Sequence, residues 1–253
     1  MGTVTDKLNY LQGTKTAIKD AIVSKKVAVA DTDTFRSYAD KISSIKYKPK
    51  YVSFNGYKGT DLTDELNMLD TSNVTDMYEF FYECENLLNV NLSNLNTSKV
   101  TNFYGTFEKC TSLTNLDLTP LDTSSATNME YIFRGCTSLK SLDLSNFNTS
   151  NVETMYSMFR ECTALTSLDL SNFDTSKVTD TGKMFQGCSK LTSLIINNSN
   201  VFPLTSTDAL TSTPIASGTG YVYVPDNLVD TYKTTANWST YANQIKGVSE
   251  LGG

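Results

Sequence analysis

The chain repeats a pattern every 26 residues, and this period constrains its fold more than any other feature of the sequence. Cysteines recur at this interval, each with a phenylalanine three residues before it and a leucine three residues after it: Cys84, Cys110, Cys136, Cys162 and Cys188. A Thr-Ser pair recurs in the same register. Repeats of about 20–29 residues with an L-x-x-L-x-L core are typical of leucine-rich solenoids, in which each repeat forms one coil.

The unit that begins at Leu139 illustrates how one coil is expected to fold. Leu142 and Leu144 alternate with polar residues, which predicts a short, half-buried strand. The next polar residues predict a turn, with Ser150 as the N-cap of a helix. That helix is predicted by apolar residues at helical spacing: Val152, Met155, Phe159 and Cys162. Each repeat is therefore predicted to be one strand followed by one short helix.

The predicted fold is an α/β repeat solenoid, leucine-rich-repeat-like, whose 26-residue strand–helix units stack through parallel strands. We place the solenoid at residues 49–199, with five units and a terminal strand. Residues 51–57 are expected to form a strand that covers its front. Residues 200–253 are expected to form an α+β C-terminal cap, in which a strand at 221–224 precedes a helix that begins at Pro225. The apolar side of that helix is predicted to include Trp238 and Ile245, and a break near Asn237 is left open.

Residues 1–48 differ from the repeats and are predicted to be a small helical module, because Leu8, Leu11 and Ile18 have helical spacing. Charge also changes sign near this boundary. Residues 1–50 hold ten basic and five acidic side chains, a net charge of +5, whereas residues 51–253 have a net charge of −11. Two helices this short bury too little surface to be stable alone. We therefore expect the module to dock onto the solenoid, onto sister chains or onto a larger assembly.

Composition excludes several classes of function. The chain has 0 histidines, so it has neither a Ser-His-Asp nor a Cys-His nucleophile system, and no histidine metal site. We therefore predict no enzyme activity, no catalytic residues, no metal and no cofactor. The acidic solenoid lacks a basic face for nucleic acid. No apolar run approaches the ~20 residues of a membrane span, and the N-terminus lacks the apolar core of a secretory signal.

The cysteine register has three interpretations. Stacked coils would bring successive cysteine Cα atoms about 5 Å apart, which is within disulfide range. Thiolates can also bind metal. The register nevertheless lies on the apolar side of each unit, where a reduced cysteine packs as a small hydrophobic residue. This favours a ladder of buried thiols over a disulfide or a metal site.

Two further registers are candidate binding surfaces. On the strand side, an aspartate ladder lies between the strand leucines: Asp117, Asp143 and Asp169. Its carboxylates could hydrogen-bond a glycan or weakly hold Ca²⁺, and the alternative is solvated surface. On the predicted helix side, Tyr78, Tyr104 and Tyr156 share one register, and with Tyr131 nearby they form a stripe. Tyrosine is enriched at interfaces, and the alternative is packing between adjacent coils.

The units at residues 139–165 and their sisters closely resemble the BspA-like leucine-rich repeat. The resemblance rests on a Leu-x-x-Leu-Asp-Leu-Ser-Asn-Phe-Asn-Thr-Ser core and a Met-Phe-x-x-Cys ending, and it covers residues 55–200. It implies a solenoid that binds rather than catalyses. Such repeats occur in bacterial and parasite surface proteins, adhesins and mycoplasma lipoproteins.

The N-terminal segment looks like a short module of phage and prophage tail or fibre proteins from gut bacteria. The residues that carry this resemblance are TKTAIKDAI at 14–22, VAV at 27–29 and TFRSYADKI at 34–42. The segment YVYVPDNLVD at 221–230, continuing to Trp238, is similar to the ends of phage-encoded repeat proteins. A virion protein is made in the host cytoplasm and leaves by lysis, so it needs no secretory signal.

Together these resemblances predict a non-enzymatic phage virion or tail-associated protein. Residues 1–48 would attach it to other virion proteins, and the solenoid would present a surface to a host protein or glycan, or to a neighbouring virion protein. The alternatives are a BspA-like adhesin on the bacterial cell surface and a purely structural virion or decoration protein. Homo-oligomerisation is left open.

Overall fold

The computed structural model of the protein describes residues 53–67 and 69–252. The predicted helical module at residues 1–48 lies outside the described residues. From residue 53 onward the repeats lie side by side, and backbone hydrogen bonds join equivalent positions of successive coils. Isolated parallel bridges mark the same order along the stack: Asp76 to Asn102, Asn102 to Asn128, Asn128 to Thr154, and Thr154 to Asp180.

Regular secondary structure is sparse in the described residues and concentrated at the C-terminal end. Its elements in chain order are helix α1 (Thr63–Asn67), strand β1 (Ser167–Asp169), strand β2 (Ser193–Ile195), strand β3 (Tyr221–Val224), helix α2 (Val229–Thr234) and strand β4 (Ile245–Gly247). Short 3₁₀ helices cover Thr207–Leu210, Asp226–Leu228, Trp238–Gln244 and Val248–Glu250. The four strands form one parallel sheet in the order β1-β2-β3-β4.

The prediction of a helix in each repeat is wrong, because these segments form turns. In the first full coil, the N–H groups of Met77, Glu79 and Phe81 donate to carbonyl oxygens of the next coil at 2.8–2.9 Å. The intervening N–H groups of Phe80 and Tyr82 donate instead to the carbonyl three residues earlier, at 3.1 Å. An α-helix would direct every N–H to the carbonyl four residues earlier. The segment is therefore a series of turns whose backbone also pairs with the next coil.

Left-handed residues at two fixed positions of each coil produce this alternation. Their φ angles lie between 51° and 78°: Glu79, Glu83, Gly105, Lys109, Tyr131, Gly135, Ser157, Glu161, Lys183 and Gly187. A residue other than glycine pays about 1–2 kcal/mol for this conformation, which the hydrogen bonds between coils offset. Apolar spacings of three and four residues occur both in a helix and in this turn series, so periodicity could not distinguish them.

The predicted strands are confirmed in part. Strands β1 and β2 lie where the leucine alternation places them, and the central Leu168 pairs with the buried Leu194. Residues 142–144, which occupy the position of β1 in the preceding coil, do not form a strand. In the predicted front strand, residues 51–52 lie outside the described residues and 53–57 are not a strand. There, the N–H groups of Phe54 and Gly56 donate at 2.7 Å to the carbonyls of Phe80 and Tyr82.

The core is built from ladders of identical residues. One ladder consists of near-parallel phenylalanine rings, with centroids 5.2–6.1 Å apart and interplanar angles of 6–16°: Phe54, Phe81, Phe107, Phe133, Phe159 and Phe185. The predicted ladder of buried thiols lies beside it and is confirmed, because all the cysteines are free and buried. Each sulfur donates to the carbonyl of a ladder phenylalanine in the preceding layer at 3.0–3.3 Å.

Buried threonines of the Thr-Ser pairs connect adjacent turns. The Thr123 hydroxyl donates to the Asn148 carbonyl at 3.1 Å and accepts from the Asn148 N–H at 2.8 Å. Thr97 makes the same two bonds with Asp122. Ser150 is not a helix N-cap as predicted. Instead, its N–H donates to the Asn148 side chain at 3.1 Å, which closes an Asx turn.

The C-terminal cap confirms β3 and the break near Asn237, and it corrects the position of Ile245. Helix α2 ends at Thr234, and Asn237, with a φ of 65°, separates it from the 3₁₀ helix Trp238–Gln244. Ile245 lies in strand β4 rather than on a helix, because β4 extends the sheet beyond β3. The buried Trp238 donates its indole N–H to the Phe202 carbonyl at 2.8 Å, which ties the cap to the preceding loop.

Replacing Thr123 with valine should destabilise the protein by about 1–3 kcal/mol, because the Asn148 N–H and carbonyl lose their shared partner in a buried position. Urea denaturation measures the change in free energy of unfolding. Thr101→Val is the matched control, since Thr101 is exposed and its hydroxyl reaches the Thr75 carbonyl only at 3.4 Å. Equal losses in the two variants would contradict the role of the buried threonines.

The thiols of Cys136 and Cys188 should be almost unreactive while the protein is folded. Burial raises the pKa of Cys136 and that of Cys188 to about 12, whereas an unfolded thiol ionises near about 8.5. These two thiols should therefore react with a thiol reagent at least a hundredfold more slowly in the folded protein than in the denatured chain, whereas a hydrogen bond with Cys110 lowers the pKa of Cys84. The stability due to the raised pKa values of Cys136 and Cys188 is complete below pH ~8.5 and is lost as pH rises toward 12. Rapid labelling of Cys136 or Cys188 in the folded chain, located by mass spectrometry, would contradict the ladder.

Candidate functional site

A column of tyrosine rings runs along the turn side of the solenoid, and we call Tyr78, Tyr104, Tyr131 and Tyr156 the tyrosine column. Tyr78 and Tyr104 stack with centroids 4.9 Å apart and an interplanar angle of 11°. The next two contacts are edge-to-face, at 5.0 Å and 5.4 Å. Tyr78 is 39% exposed, and the other three rings are half-buried. The four predicted residues are thus brought together and remain accessible.

Asx turns position the first two rings of the column. The Asp76 carboxylate accepts from the Tyr78 N–H at 2.8 Å, and the Asn102 side chain accepts from the Tyr104 N–H at 3.1 Å. The Asn102 amide also donates to the Asp76 carboxylate at 3.0 Å, so adjacent turns are linked side chain to side chain. Tyr131 lies one residue out of register and occupies a left-handed position with a φ of 58°. This offset rotates its ring relative to those of its neighbours.

Charged residues flank the column, and the sequence analysis did not single them out. The buried Glu108 pairs with Arg134 at 2.9 Å, and the Arg134 guanidinium lies 5.5 Å from the Tyr131 ring centroid. Lys183 lies 5.9 Å from the ring centroid of Tyr156. Gly105 has a φ of +59°, and a Cβ there would come within 3.1 Å of the Glu108 carboxylate. The Glu108–Arg134 pair became recognisable only when residues 26 apart were placed in adjacent coils.

Burial and neighbouring groups shift several ionisation equilibria here. Burial raises the pKa of Tyr104, and Tyr78 and Glu108 add to the shift. Burial likewise raises the pKa of Tyr131, with contributions from Tyr156 and Tyr104. Burial also raises the pKa of Glu108, and the nearby Arg134 opposes that shift. At neutral pH the Tyr104 and Tyr131 phenols are therefore protonated and can donate hydrogen bonds to a bound molecule.

The aspartate ladder lies on a different surface, and its carboxylates accept hydrogen bonds that close turns. Asp117, Asp143 and Asp169 are exposed. Each accepts from the N–H two residues later, at 2.9–3.0 Å. Hydrogen bonds from Thr119 and Ser145 lower the pKa values of Asp117 and Asp143, respectively. In the part of the chain that the structure describes, no group of three or more acidic or cysteine side chains could hold a metal ion.

The outer face of the C-terminal sheet carries a second aromatic group that the sequence analysis assigned only to the cap. Tyr221 and Tyr223 project from β3 with ring centroids 6.3 Å apart. The Lys246 ammonium of β4 lies 4.1 Å from the Tyr221 centroid. Alternation along 221–224 gave a signal for this face, but the lysine became its neighbour only through the pairing of β3 with β4.

The tyrosine column can bind another molecule non-covalently. Its rings offer apolar area and hydroxyl groups together. Ring-to-ring contacts hold them in place, so binding would cost little additional side-chain entropy.

No helix in the described ranges, 53–67 and 69–252, is long and apolar enough to span a bilayer.

A protein-family model described as a Mycoplasma protein of unknown function, DUF285, matches the chain twice, over residues 51–142 and 107–212. The two matches overlap and together extend over residues 51–212 of the 253. This family is associated with BspA-like repeat proteins. No curated protein matches the chain.

Tyrosine ionisation tests the electrostatics of the column. With ¹³Cζ-tyrosine labelling, the NMR titration midpoints of Tyr104 and Tyr131 should lie above those of the denatured chain, because burial disfavours the phenolate. Glu108→Gln should lower the Tyr104 midpoint by removing a nearby negative charge. The exposed Asp117→Asn is the control and should leave it unchanged. Equal midpoints in the folded and denatured chains would contradict this account.

Proposed function

Given that the chain belongs to the DUF285 family of Mycoplasma proteins of unknown function, we propose that it is a non-enzymatic binding protein of phage virions or tails. Its solenoid presents the tyrosine column to a host receptor or to a neighbouring virion protein. Residues 1–48 attach the chain to other virion proteins. The repeats support the binding role, and the N-terminal resemblance to phage tail and fibre modules supports the location.

The tyrosine column is the observation that carries the proposal. Four half-buried or exposed rings follow one another at 4.9–5.4 Å across four coils. Tyrosine is among the residues that contribute most binding energy at protein interfaces. A partner that contacts the whole column would engage several such residues at once, on a backbone fixed by hydrogen bonds between coils.

The arrangement of polar groups favours binding over catalysis. Catalysis requires one distinct constellation of acid, base or nucleophile. Here the exposed carboxylates of the aspartate ladder repeat with the fold and accept hydrogen bonds from their own turns. The thiols are buried, and their carbonyl partners lie within the core. Repetition of equivalent groups suits an extended contact surface.

A BspA-like adhesin on the bacterial cell surface is the second candidate. It is favoured by the family match, which covers the repeats and is associated with BspA-like proteins. The two candidates share the same binding surface and differ in where the chain is located. Location therefore decides between them.

Mass spectrometry of virions purified from the encoding strain tests the location. If the proposal is right, peptides from this chain will co-purify with the tail proteins through a density gradient, at a constant ratio to them. Surface proteolysis of intact host cells is the parallel measurement. Absence from the virions together with protease-sensitive chain on the cells would overturn the phage proposal in favour of the adhesin.

Alanine variants of the column test the binding surface. The double variant Tyr104→Ala/Tyr156→Ala should reduce attachment of the purified, fluorescently labelled full chain to intact host cells, or to virions lacking it, at least tenfold. Such a loss corresponds to about 1.4 kcal/mol or more. Tyr221→Ala is the matched control, because it removes a tyrosine outside the column. Unchanged attachment of the double variant, with intact circular dichroism, would exclude the column as the binding surface.

A further inference from the structure

Tyr104 differs from other tyrosines of the turn side in its charged neighbours. Three of those tyrosines have a lysine or arginine of the chain near the ring, 5.0–5.9 Å from the centroid: Tyr82 with Lys109, Tyr131 with Arg134, and Tyr156 with Lys183. Among the residues that the structure describes, no cationic group lies over the Tyr104 ring. A cation from another molecule would complete the pattern there.

Acidic side chains of three successive coils lie near Tyr104. Glu79 belongs to the coil before it, Glu108 to its own coil and Glu130 to the coil after it. Burial raises the pKa of Tyr104, and after Tyr78 the further contributions come from these three acidic residues. The electrostatic potential at the Tyr104 phenol is therefore negative, and it favours a cation.

Two of these carboxylates have no cationic partner in the described part of the chain. The Glu79 carboxylate accepts from the Asn55 amide at 3.4 Å, and the Glu130 carboxylate accepts from the Thr154 hydroxyl at 2.9 Å. Both glutamates are half-buried, so water solvates their charges only in part. A bound cation would stabilise both charges.

The third carboxylate, that of Glu108, has one oxygen paired and the other unpaired. The side chain is 6% exposed, and its Oε1 accepts from Arg134 at 2.9 Å, whereas its Oε2 accepts no hydrogen bond from the described residues. That Oε2 lies 3.1 Å from where a Cβ of Gly105 would stand, and the Glu79 Cγ lies 3.3 Å from the same point. The two acidic side chains therefore converge over Gly105, directly after Tyr104. An unpaired oxygen on so deeply buried a carboxylate is costly, and a donor from a bound molecule would pair it.

We infer that the tyrosine column receives a lysine side chain of the partner protein beside Tyr104, with the ammonium among Glu79, Glu108 and Glu130. The inference rests on the proposed function, because it names the chemistry of the partner at the same surface. An ammonium group has three N–H donors and no acceptor. It therefore matches a site that offers several carboxylate oxygens and a phenol oxygen.

The chain itself contains an ammonium group bound in this way. Lys109 donates to the Tyr82 hydroxyl at 2.9 Å and to the Glu83 carboxylate at 2.8 Å. The hydrogen bonds with Glu83 and Tyr82 raise the pKa of Lys109, so the lysine stays charged. Tyr104 and its flanking glutamates offer the same two types of acceptor, a phenol and a carboxylate. A metal ion suits the site less, because no group of three or more acidic side chains in the described residues could hold one.

Titration of the full chain with peptides tests the site directly. Tetralysine with blocked termini should shift the ¹³Cζ signal of Tyr104 saturably and leave that of Tyr221, which lies beside Lys246, unchanged. Tetralysine acetylated on every side chain keeps its length and loses its charge, so it should produce no saturable shift. Calcium chloride is the third probe. No saturable shift with tetralysine, or an equal shift with the acetylated peptide or with calcium chloride, would overturn the inference.

Charge variants separate this site from general attraction to an acidic protein. Glu79→Gln/Glu130→Gln keeps the acceptor oxygens and removes two charges, and it should weaken tetralysine binding about fivefold or more. Asp122→Asn/Asp174→Asn is the matched control, because it removes two exposed charges and keeps the side-chain oxygens that close their turns. Equal weakening by the two double variants, with native circular dichroism, would contradict the site.

The attachment assay distinguishes failure of this inference from failure of the proposed function. Glu79→Gln/Glu130→Gln should reduce attachment of the full chain about fivefold or more, and acetylation of lysines on the host cells or virions should reduce it likewise. Loss with the glutamine variant but not on acetylation would overturn lysine in favour of arginine. If Tyr104→Ala/Tyr156→Ala abolishes attachment while the glutamine variant and acetylation leave it unchanged, this inference fails alone. If the alanine variant also attaches normally, the proposed function fails with it.

Discussion

Backbone hydrogen bonds between neighbouring coils are the interaction on which the rest of the structure depends. In the turn segments every second N–H donates to the next coil, and the others close turns within their own coil. A single coil could not stabilise this arrangement, because half of its donors would have no partner in the fold and several of its residues are left-handed. Stacking supplies the partners, so each coil stabilises its neighbours.

The core and the candidate binding surface are two consequences of this stacking. Inside, the coils bring phenylalanine rings to 5.2–6.1 Å and direct each thiol to a carbonyl of the layer before it. Outside, the same stacking brings the tyrosine column to 4.9–5.4 Å. A rigid surface of regularly placed aromatic rings suits recognition of an extended partner. Its charged neighbours, such as Glu108 and Arg134, are likewise fixed by adjacent coils.

The two ends of the stack differ in how they are covered. At the C-terminal end, β3 and β4 extend the sheet, and Trp238 and Tyr232 enclose Phe202 through hydrogen bonds. At the front, Phe54 stacks on Phe81, and Leu62 and Leu66 at helix α1 are buried. Extension of the sheet thus covers the C-terminal end, whereas a turn and a short helix pack their apolar side chains on the first coil.

The 26-residue period of the sequence alone determined that the chain stacks repeats, that Cys136 and its equivalents are buried, and that Tyr78 and Tyr104 share a face. Strands β1, β2 and β3 also followed from alternation of apolar residues. Only the tertiary structure decided that residues 152–162 form turns and that Ile245 lies in a strand. The physical reason is that apolar spacing reports which side chains are buried, whereas the partner of each backbone N–H depends on a neighbouring coil that is distant in sequence.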